Sequence, residues 1–300
     1  MLFPSYLNIS YQQLEKRIKK AYKLLEECKL CPRNCQANRL KNERGFCQIG
    51  QEIKISNFGP HFGEEKPLTG YKGSGTIFFT SCNLACVYCQ NYEISQLRRG
   101  YLISEKDLAK IMLSLQKQGC HNINFVTPTP YVPQILKSLS LAIKGGLKIP
   151  LVYNCGGYES IKTLKILKGI FDIYMPDFKY SSNKVAQKYS SVDNYFSITK
   201  KAILEMYNQV GDLVIKNGLA QKGLLIRHLV LPNRLAGSER ILKFIAQKIS
   251  PNTFINIMDQ YRPYYKAPSY PELARPITSQ EFKEVLILAK RIGLKRIYCE

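Results

Sequence analysis

The amino-acid sequence predicts an α/β fold in which parallel strands alternate with helices behind a small cysteine-rich segment. From residue 75 onward, short runs rich in β-branched and aromatic residues alternate with stretches whose apolar residues recur at helical spacing. This alternation is typical of parallel strands joined by right-handed crossovers. Six strand–helix units of roughly 35–40 residues need about 220 residues, which fits residues 71–300.

The candidate strands follow one another in chain order. They span residues 75–80, 122–126, 149–153, 171–175, 223–230 and 253–257, with 294–298 as a further candidate. Between the first two, Ser104 stands where an N-cap would begin an amphipathic helix. A later helix starts with Thr278 and Glu281 in the spacing of a capping box.

The first 70 residues are organised differently. An apolar stripe at helical spacing predicts a helix over residues 11–27. Residues 32–75 are rich in Gly, Pro, Asn and Arg and show no sustained period. We therefore interpret residues 1–70 as a metal-organised cap and residues 71–300 as the core domain.

Composition narrows the class of protein. The chain has 45% hydrophobic residues, a normal share for a folded protein and well above the disordered range. Neither an apolar run of about 18 residues nor a signal-peptide pattern is present, so we expect no membrane partner and a cytoplasmic location. The 10 cysteines are clustered rather than spread as in a disulfide-stapled secreted domain. Such clustering favours metal binding in a reducing compartment.

One cysteine group reads C-x3-C-x2-C and consists of Cys82, Cys86 and Cys89. Structural zinc sites and ordinary ferredoxin clusters use four ligands, whereas this group offers three. A [4Fe–4S] cluster held by three cysteines leaves one iron open to another ligand. The alternatives are chance spacing of buried cysteines, or three zinc ligands completed by a distant histidine.

The other group contains four cysteines, which are sufficient to close a metal site completely. They are Cys28, Cys31, Cys35 and Cys47. Four sulfur ligands are compatible with zinc or with an iron–sulfur cluster. The remaining three cysteines are expected to be small buried hydrophobic residues: Cys120, Cys155 and Cys299.

The segment GTIFFTSCNLACVYCQNYEIS resembles the first strand and cluster loop of the radical SAM superfamily. Further blocks resemble its PflX-like branch of pyruvate formate-lyase activating enzyme homologues, and together they cover about residues 28–275. These blocks include CKLCPRNCQANRLKNERGFC, NINFVTPTPYVPQIL, VYNCGGYESIKTL, FDIYMPDFKY, RHLVLP and MDQYRPYYKAPSYPEL. The resemblance implies a partial (β/α)6 TIM-like barrel, the radical SAM core.

The resemblance also implies a reaction. A [4Fe–4S] cluster on Cys82, Cys86 and Cys89, reduced by a low-potential electron donor, would cleave S-adenosylmethionine to a 5′-deoxyadenosyl radical that abstracts hydrogen from a substrate. In the activases that substrate is a glycine of a partner protein; a small metabolite or an RNA base is the alternative. The four-cysteine group matches the PflX-like branch and is absent from pyruvate formate-lyase activating enzyme itself. We expect it to be structural, with electron delivery as the alternative.

Two segments near the cluster loop receive roles from the resemblance. Tyr88 would lie near the adenine, or would simply be a packed tyrosine. Thr127 and Thr129 stand where many members have Gly-Gly-Glu, which binds the methionyl amino group; here hydroxyls and carbonyls would accept its hydrogen bonds without a carboxylate. Residues 156–159, Gly-Gly-Tyr-Glu, come one strand later, and we interpret them as a glycine turn before a helix.

The later strand ends supply further candidates, because the carboxyl ends of parallel strands converge. Asn154 would bind the ribose or the methionyl carboxylate, or cap a helix. Asp177 and Lys179 resemble the Asp-x-Lys segment that lies beside S-adenosylmethionine and the substrate backbone in the activases; a solvated ion pair is the alternative. Arg227 and His228 are candidate cofactor-binding residues, although packing is the simpler interpretation of His228.

The charge leaves a rival hypothesis open. A formal net charge of +22 is typical of proteins that bind phosphates. The lysines are scattered, however, apart from one local cluster at residues 16–23, so a solubility surface is the preferred interpretation and nucleic acid a secondary partner. The non-enzyme alternatives are a zinc-stabilised nucleic-acid-binding protein and an electron carrier with two clusters.

Overall fold

A computed structural model describes residues 3–299. In that range the strands are β1 Ile53–His61, β2 Ser74–Phe79, β3 Tyr101–Ile103, β4 Ile123–Val126, β5 Leu151–Cys155, β6 Ile173–Pro176, β7 Val214–Lys216, β8 Leu219–Leu229, β9 Phe254–Met258 and β10 Arg296–Tyr298. The α-helices are α1 Tyr11–Lys23, α2 Lys66–Thr69, α3 Tyr92–Ser95, α4 Glu105–Lys117, α5 Val132–Lys144, α6 Ile161–Ile166, α7 Asn183–Ser190, α8 Tyr195–Val210, α9 Ser238–Phe244 and α10 Ser279–Arg291.

The strands form one mixed sheet whose two ends do not meet. Its order is β10-β9-β8-β6-β5-β4-β2-β1-β3, with β7 paired to β8. All neighbours from β2 to β10 along this order are parallel, whereas β1 runs antiparallel to both β2 and β3. This arrangement confirms the predicted α/β fold and the partial barrel. All seven candidate strands are present, with ends shifted by up to four residues.

The central strands are buried on both faces, which explains their continuous apolar sequence. Every residue of β4, β5 and β6 is buried. Aromatic rings on these strands and just before β6 pack edge to face, with Phe171 lying 5.7 Å from Phe125 and 4.9 Å from Tyr153 between ring centroids. Each such pair stabilises the folded state by about 0.5–1.5 kcal/mol beyond the contribution of its buried area. The core therefore fixes the strands whose ends carry the site.

The predicted helix starts are confirmed by their side-chain caps. The backbone amide of Asp107 donates to Ser104 Oγ at 3.1 Å, and that of Glu281 donates to Thr278 Oγ1 at 3.1 Å. Helix α1 begins with a third capping box and ends at Lys23, four residues before the predicted end. Within residues 3–299 no helix combines the length and apolar character needed to cross a membrane.

Strand β1 was missed by the sequence analysis. In its first four residues, buried Ile53 and Ile55 alternate with half-buried residues; the remaining residues are exposed or half-buried, and the register is irregular between Ile55 and Asn57. A strand of this kind has no regular apolar period. Because His61 pairs with Ser74, the residues that follow β1 lie beside the amino end of β2. This segment consequently reaches the open side of the sheet.

Candidate active site

A cavity of about 560 Å³ lies along the carboxyl ends of the parallel strands. It brings together the cysteines of the C-x3-C-x2-C loop and most of the predicted strand-end residues. The predicted residues in its wall are Cys82, Cys86, Tyr88, Cys89, Thr127, Asn154, Asp177, Lys179 and Arg227. Such convergence of polar groups on one cavity whose wall mixes polar and apolar residues is typical of an active site.

The cysteine loop follows β2 and is fixed by the end of α7. The amide of Ala85 donates to the carbonyl of Ser190 at 3.1 Å, and the amide of Val87 donates to the carbonyl of Tyr189 at 2.9 Å. Ser81, directly before the loop, has φ 65°, which turns the chain out of the strand. The three thiols thus project from a loop whose backbone is hydrogen-bonded to the end of α7.

Cys86 is buried and Cys82 and Cys89 are half-buried, and this burial raises the pKa values of the three thiols. The pKa of Cys86 rises to about 11, mainly by desolvation and partly offset by Lys179; those of Cys82 and Cys89 are also raised by burial. The metal-free thiols are therefore protonated at neutral pH, so binding a metal must release protons.

These donors fit an iron–sulfur cluster better than a single ion. Among residues 3–299, no three Cys, His, Asp or Glu side chains are grouped as the ligands of one metal ion are. A single zinc draws all its thiolates to about 2.3 Å from one point, whereas each cysteine of a [4Fe–4S] cluster binds a different iron. Three soft sulfur donors that line one cavity can each bind a different iron of such a cluster.

Tyr88 belongs to the cavity wall and is also packed. It is 5% exposed. Its ring makes edge contacts with Tyr261 at 5.7 Å and Tyr180 at 6.3 Å between centroids. The position of Tyr88 is consistent with both of its predicted roles.

Asp177 and Lys179 form an ion pair in the cavity wall. Lys179 Nζ lies 2.6 Å from Asp177 Oδ2, and the two side chains are 16% and 25% exposed. Tyr195 supports the turn, since its hydroxyl accepts from the amide of Lys179 at 3.0 Å and lies 3.2 Å from the carbonyl of Asp177. Burial is the largest single influence and disfavours the ammonium ion, but Asp177 and the other acidic groups around it together outweigh burial and raise the pKa of Lys179 well above its ordinary value. Lys179 therefore carries a positive charge at neutral pH.

The segment that replaces Gly-Gly-Glu is divided between two environments. Thr127 has φ 61°, lines the cavity, and donates its amide hydrogen to the carbonyl of Asn154 at 2.9 Å. Thr129 is buried away from the cavity, and its hydroxyl donates to Glu159 Oε1 at 2.7 Å. Tyr153 donates to the other oxygen of that carboxyl at 3.1 Å. Burial raises the pKa of Glu159 to about 7.

The predicted glycine turn at residues 156–159 is confirmed. Gly157 has φ +76°, and a Cβ atom there would lie 2.2 Å from the carbonyl oxygen of Asp177. Ser160 then occupies the N-cap position of α6, which begins at Ile161, without a side-chain cap hydrogen bond. The turn lets the ends of β5 and β6 approach each other.

Arg227 points toward two carboxylates that the sequence analysis missed. Its Nε and Nη2 lie 2.8 and 2.7 Å from the two oxygens of Glu65, and Nη2 also pairs with Glu64. Asn256, opposite Arg227 on β9, donates to Glu65 at 2.7 Å. Burial alone would raise the pKa of Glu65, but Arg227 lowers it. An arginine late in an otherwise apolar strand was the available signal that a carboxylate partner exists.

His228 lies outside the cavity wall. It is completely buried, with Nδ1 2.7 Å from the carbonyl of Phe178 and Nε2 2.8 Å from Ser238 Oγ. Burial lowers its pKa to about 4, so the ring is neutral. This environment corresponds to the packing role rather than to contact with a cofactor.

The four cysteines of the cap line one small cavity of about 20 Å³. The buried Arg39 closes the surrounding loop by donating to the carbonyls of Gly50, at 2.9 and 3.0 Å, and Pro130, at 2.8 Å. Asn83 lines the same small cavity, although its neighbour Cys82 lines the large one. Arg33 Nε donates to the carbonyl of Asn83 at 2.9 Å. The two cysteine groups are consequently close neighbours.

The other three cysteines are divided. Cys120 and Cys155 are buried as predicted, and Cys155 also lines the large cavity. The prediction is wrong for Cys299, which is exposed because it follows the edge strand β10.

Comparison with known proteins agrees with this site. The sequence profile of the Radical SAM superfamily matches residues 76–218. The uncharacterized protein MJ0674 of Methanocaldococcus jannaschii is 37% identical over 295 residues, covering 95% of this chain and 80% of the relative. The uncharacterized protein MJ0808 of the same organism is 22% identical, covering 90% of this chain and 80% of the relative. The chain therefore belongs to the radical SAM superfamily.

Two solved structures are similar at 13% identity. Streptococcus suis SuiB bound to precursor peptide SuiA has a TM-score of 0.49 and covers 74% of this chain and 47% of its own. A domain of pyruvate-formate lyase-activating enzyme from Bacteroides vulgatus has a TM-score of 0.37 and covers 65% of this chain and 91% of its own. Family membership makes this protein an enzyme that cleaves S-adenosylmethionine to a radical, and it implies a [4Fe–4S] cluster.

Proposed function

We propose that this enzyme abstracts hydrogen from the backbone of a protein or peptide substrate at the large cavity. The observation that supports this substrate class is the Asp177–Lys179 pair beside the three cluster cysteines. A carboxylate acceptor and an ammonium donor held 2.6 Å apart complement the N–H and C=O of a peptide group. A small metabolite or an RNA base with an amide edge is the alternative substrate.

Cys82, Cys86 and Cys89 would hold the cluster, and Thr127, Asn154 and Tyr88 would contact S-adenosylmethionine. When bound, the reduced cluster supplies the electron that splits S-adenosylmethionine into methionine and the 5′-deoxyadenosyl radical. The chain's own residues would bind and orient S-adenosylmethionine and the substrate, and would exclude water from the cavity. Asn154 is 8% exposed and Tyr88 5% exposed, and both line the cavity, so little of either side chain is open to water.

The first experiment tests the reaction. Protein reconstituted anaerobically should contain about four iron and four sulfide at this site and should form 5′-deoxyadenosine when dithionite and S-adenosylmethionine are added. Cys86→Ala should lose the cluster iron and the product. Cys120→Ala, which changes a buried cysteine outside both groups, should retain them. Iron-loaded, reduced protein that forms no 5′-deoxyadenosine would refute the assignment.

The second experiment tests the substrate class. Protein, RNA and small-molecule fractions are prepared from cells grown in deuterated medium and are added separately to the reduced holoenzyme. We expect deuterium to appear in 5′-deoxyadenosine only with the protein fraction. Transfer from the RNA or small-molecule fraction alone would establish the alternative substrate instead.

We also propose that Cys28, Cys31, Cys35 and Cys47 bind a second metal, either zinc or an iron–sulfur cluster. All four line one small cavity, which supports this proposal. No three of them are grouped as the ligands of one metal ion are, so the comparison made for Cys82, Cys86 and Cys89 favours an iron–sulfur cluster over zinc here as well. Burial raises the pKa of Cys31 and Cys47, so without a metal these side chains are protonated thiols, and a bound metal would replace the protons. A variant without Cys82, Cys86 and Cys89 should retain bound metal that Cys31→Ser then removes. Absence of metal from the first variant would refute the second site.

The partners follow from the chemistry. We propose a low-potential electron donor, because the cluster must be reduced before it can react. A reducing cytoplasm is the proposed location, since buried free thiols and an iron–sulfur cluster both persist there. Salt-sensitive nucleic-acid binding that disappears with Cys31→Ser would instead favour the zinc-module hypothesis.

A further inference from the structure

Each of the three cluster cysteines has at least one hydrogen-bond donor at its sulfur. The amide of Leu84 points to Cys82 Sγ at 3.4 Å. The other two donors are serine hydroxyls: Ser190 Oγ lies 2.9 Å from Cys86 Sγ, and Ser95 Oγ lies 3.1 Å from Cys89 Sγ. Neither serine is needed to hold a cluster, because a cysteine binds iron through its own sulfur.

The surroundings of Ser190 fix the direction of its hydrogen bond. Ser190 is 0% exposed, and its hydroxyl lies 2.7 Å from the hydroxyl of Tyr180. A ligating thiolate carries no proton and can only accept, so Ser190 must donate to Cys86. Tyr180 can then donate to the serine oxygen. The backbone pairing of Tyr189 and Ser190 with the cysteine loop keeps this geometry rigid.

Ser95 is directed in the same way by Gln96. The side-chain amide of Gln96 donates to Ser95 Oγ at 3.2 Å and to the carbonyl of Leu84 at 3.2 Å. Because the amide nitrogen can only donate, the serine hydrogen is free to point to Cys89. Both hydroxyls therefore present a hydrogen to a cluster sulfur from a position held by a second side chain.

We propose that Ser190 and Ser95 raise the reduction potential of the cluster on Cys82, Cys86 and Cys89; this inference rests on the proposed function of those cysteines. Hydrogen bonds to cluster sulfurs are among the determinants of iron–sulfur potentials. Reduction adds one negative charge to the cluster, and a donor to a more negative sulfur forms a stronger bond. One electron passes from the low-potential donor, which is oxidised, to the cluster, which is reduced. The serines keep their protons.

The test is a redox titration of the anaerobically reconstituted holoenzyme, followed by electron paramagnetic resonance of the reduced cluster. Ser190→Ala and Ser95→Ala should each lower the ratio of reduced to oxidised cluster about tenfold at a fixed potential, equivalent to about 59 mV for one electron. Tyr180→Phe should give a smaller shift in the same direction, because Ser190 remains. Ser138→Ala, which removes a buried hydroxyl bonded to the carbonyl of Gln134 instead of a sulfur, should titrate like the wild type.

The outcomes separate the two proposals. If the wild type loads iron and cleaves S-adenosylmethionine but both serine variants titrate like it, the tuning role is refuted and the function stands. If the wild type holds no cluster at these cysteines, both proposals are refuted. A merely structural role would lower the iron content or thermal stability without moving the potential of the cluster that remains, and this result would also refute the tuning role.

Discussion

Arg227 and Glu65 form a two-point ion pair, with nitrogen–oxygen distances of 2.7 and 2.8 Å, between strand β8 and the segment that leads from β1 to β2. The same guanidinium pairs with Glu64. The Glu65 side chain is 0% exposed and that of Arg227 is 16% exposed. A single cation is therefore shared by two carboxylates at one wall of the cavity. It also attaches the segment after β1 to a strand on the other side of the sheet.

Replacing Arg227 by Met should destabilise the protein by about 3–5 kcal/mol at pH 7.5, because it leaves buried carboxylates without a counter-charge. In the wild type the lowered pKa of Glu65 contributes stability that is present above the unfolded pKa and is lost in acid. Without Arg227, burial should raise that pKa, so part of the loss should be recovered at pH 5. Urea denaturation at both pH values measures this. Arg262→Met, at an exposed arginine, is the control, and an equal loss at both pH values would contradict the argument.

Glu159→Gln should change how stability depends on pH. The folded-state pKa of about 7 lies above the ordinary 4.5, so the wild-type carboxyl binds a proton in the folded state that the unfolded chain has released. Stability should therefore fall by on the order of 3 kcal/mol as pH rises from about 4.5 to 7. Glutamine keeps partners for Thr129 and Tyr153 and removes this dependence. Denaturation midpoints across that range measure it, and an unchanged pH profile would show that Glu159 does not titrate there.

His228→Asn should have the opposite effect on the same profile. The folded-state pKa of about 4 lies below the ordinary 6.5, so stability from this residue is present above about pH 6.5 and is lost as pH falls toward 4. In the wild type the two trends oppose each other between about pH 4.5 and 6.5. We expect Glu159→Gln to become less stable as pH falls and His228→Asn to become more stable over that interval. Profiles with the same slope in both variants would refute these assignments.

Gly157→Ala should be far more damaging than Gly218→Ala. Both glycines have similar positive φ angles, 76° and 79°, so an alanine would suffer about the same backbone strain at either position. A Cβ atom at Gly157 meets the carbonyl of Asp177 at 2.2 Å, whereas none of the described atoms lies within 4 Å at Gly218. We expect about 1 kcal/mol at Gly218 and at least 2 kcal/mol more at Gly157. Equal losses in thermal denaturation would contradict the close approach of β5 and β6.

The sequence predicted the parts of the structure that depend on local pattern. Buried parallel strands are continuous apolar runs, and the capping boxes at Ser104 and Thr278 are short-range hydrogen bonds, so both are visible in the chain. The cysteine spacing likewise identified the loop after β2. These features need no information about distant residues.

The parts that were missed depend on contacts between distant segments. Glu64 and Glu65 stand in a stretch without periodicity, and their importance comes from Arg227, more than 160 positions away. Thr129 and Thr127 are two residues apart, but the positive φ of Thr127 sends their side chains to different environments. His228 is adjacent to Arg227 on a strand, and alternation places it on the other face.

The ion pair of Arg227 limits where the chain can be divided. A fragment that begins at residue 71 would retain every parallel strand and all three cluster cysteines, but it would lack β1, Glu64 and Glu65. Arg227 would then face the cavity without a counter-charge, and the edge of β2 would lose its antiparallel partner. We therefore expect residues 71–300, expressed without the preceding segment, to give aggregated or unstable protein.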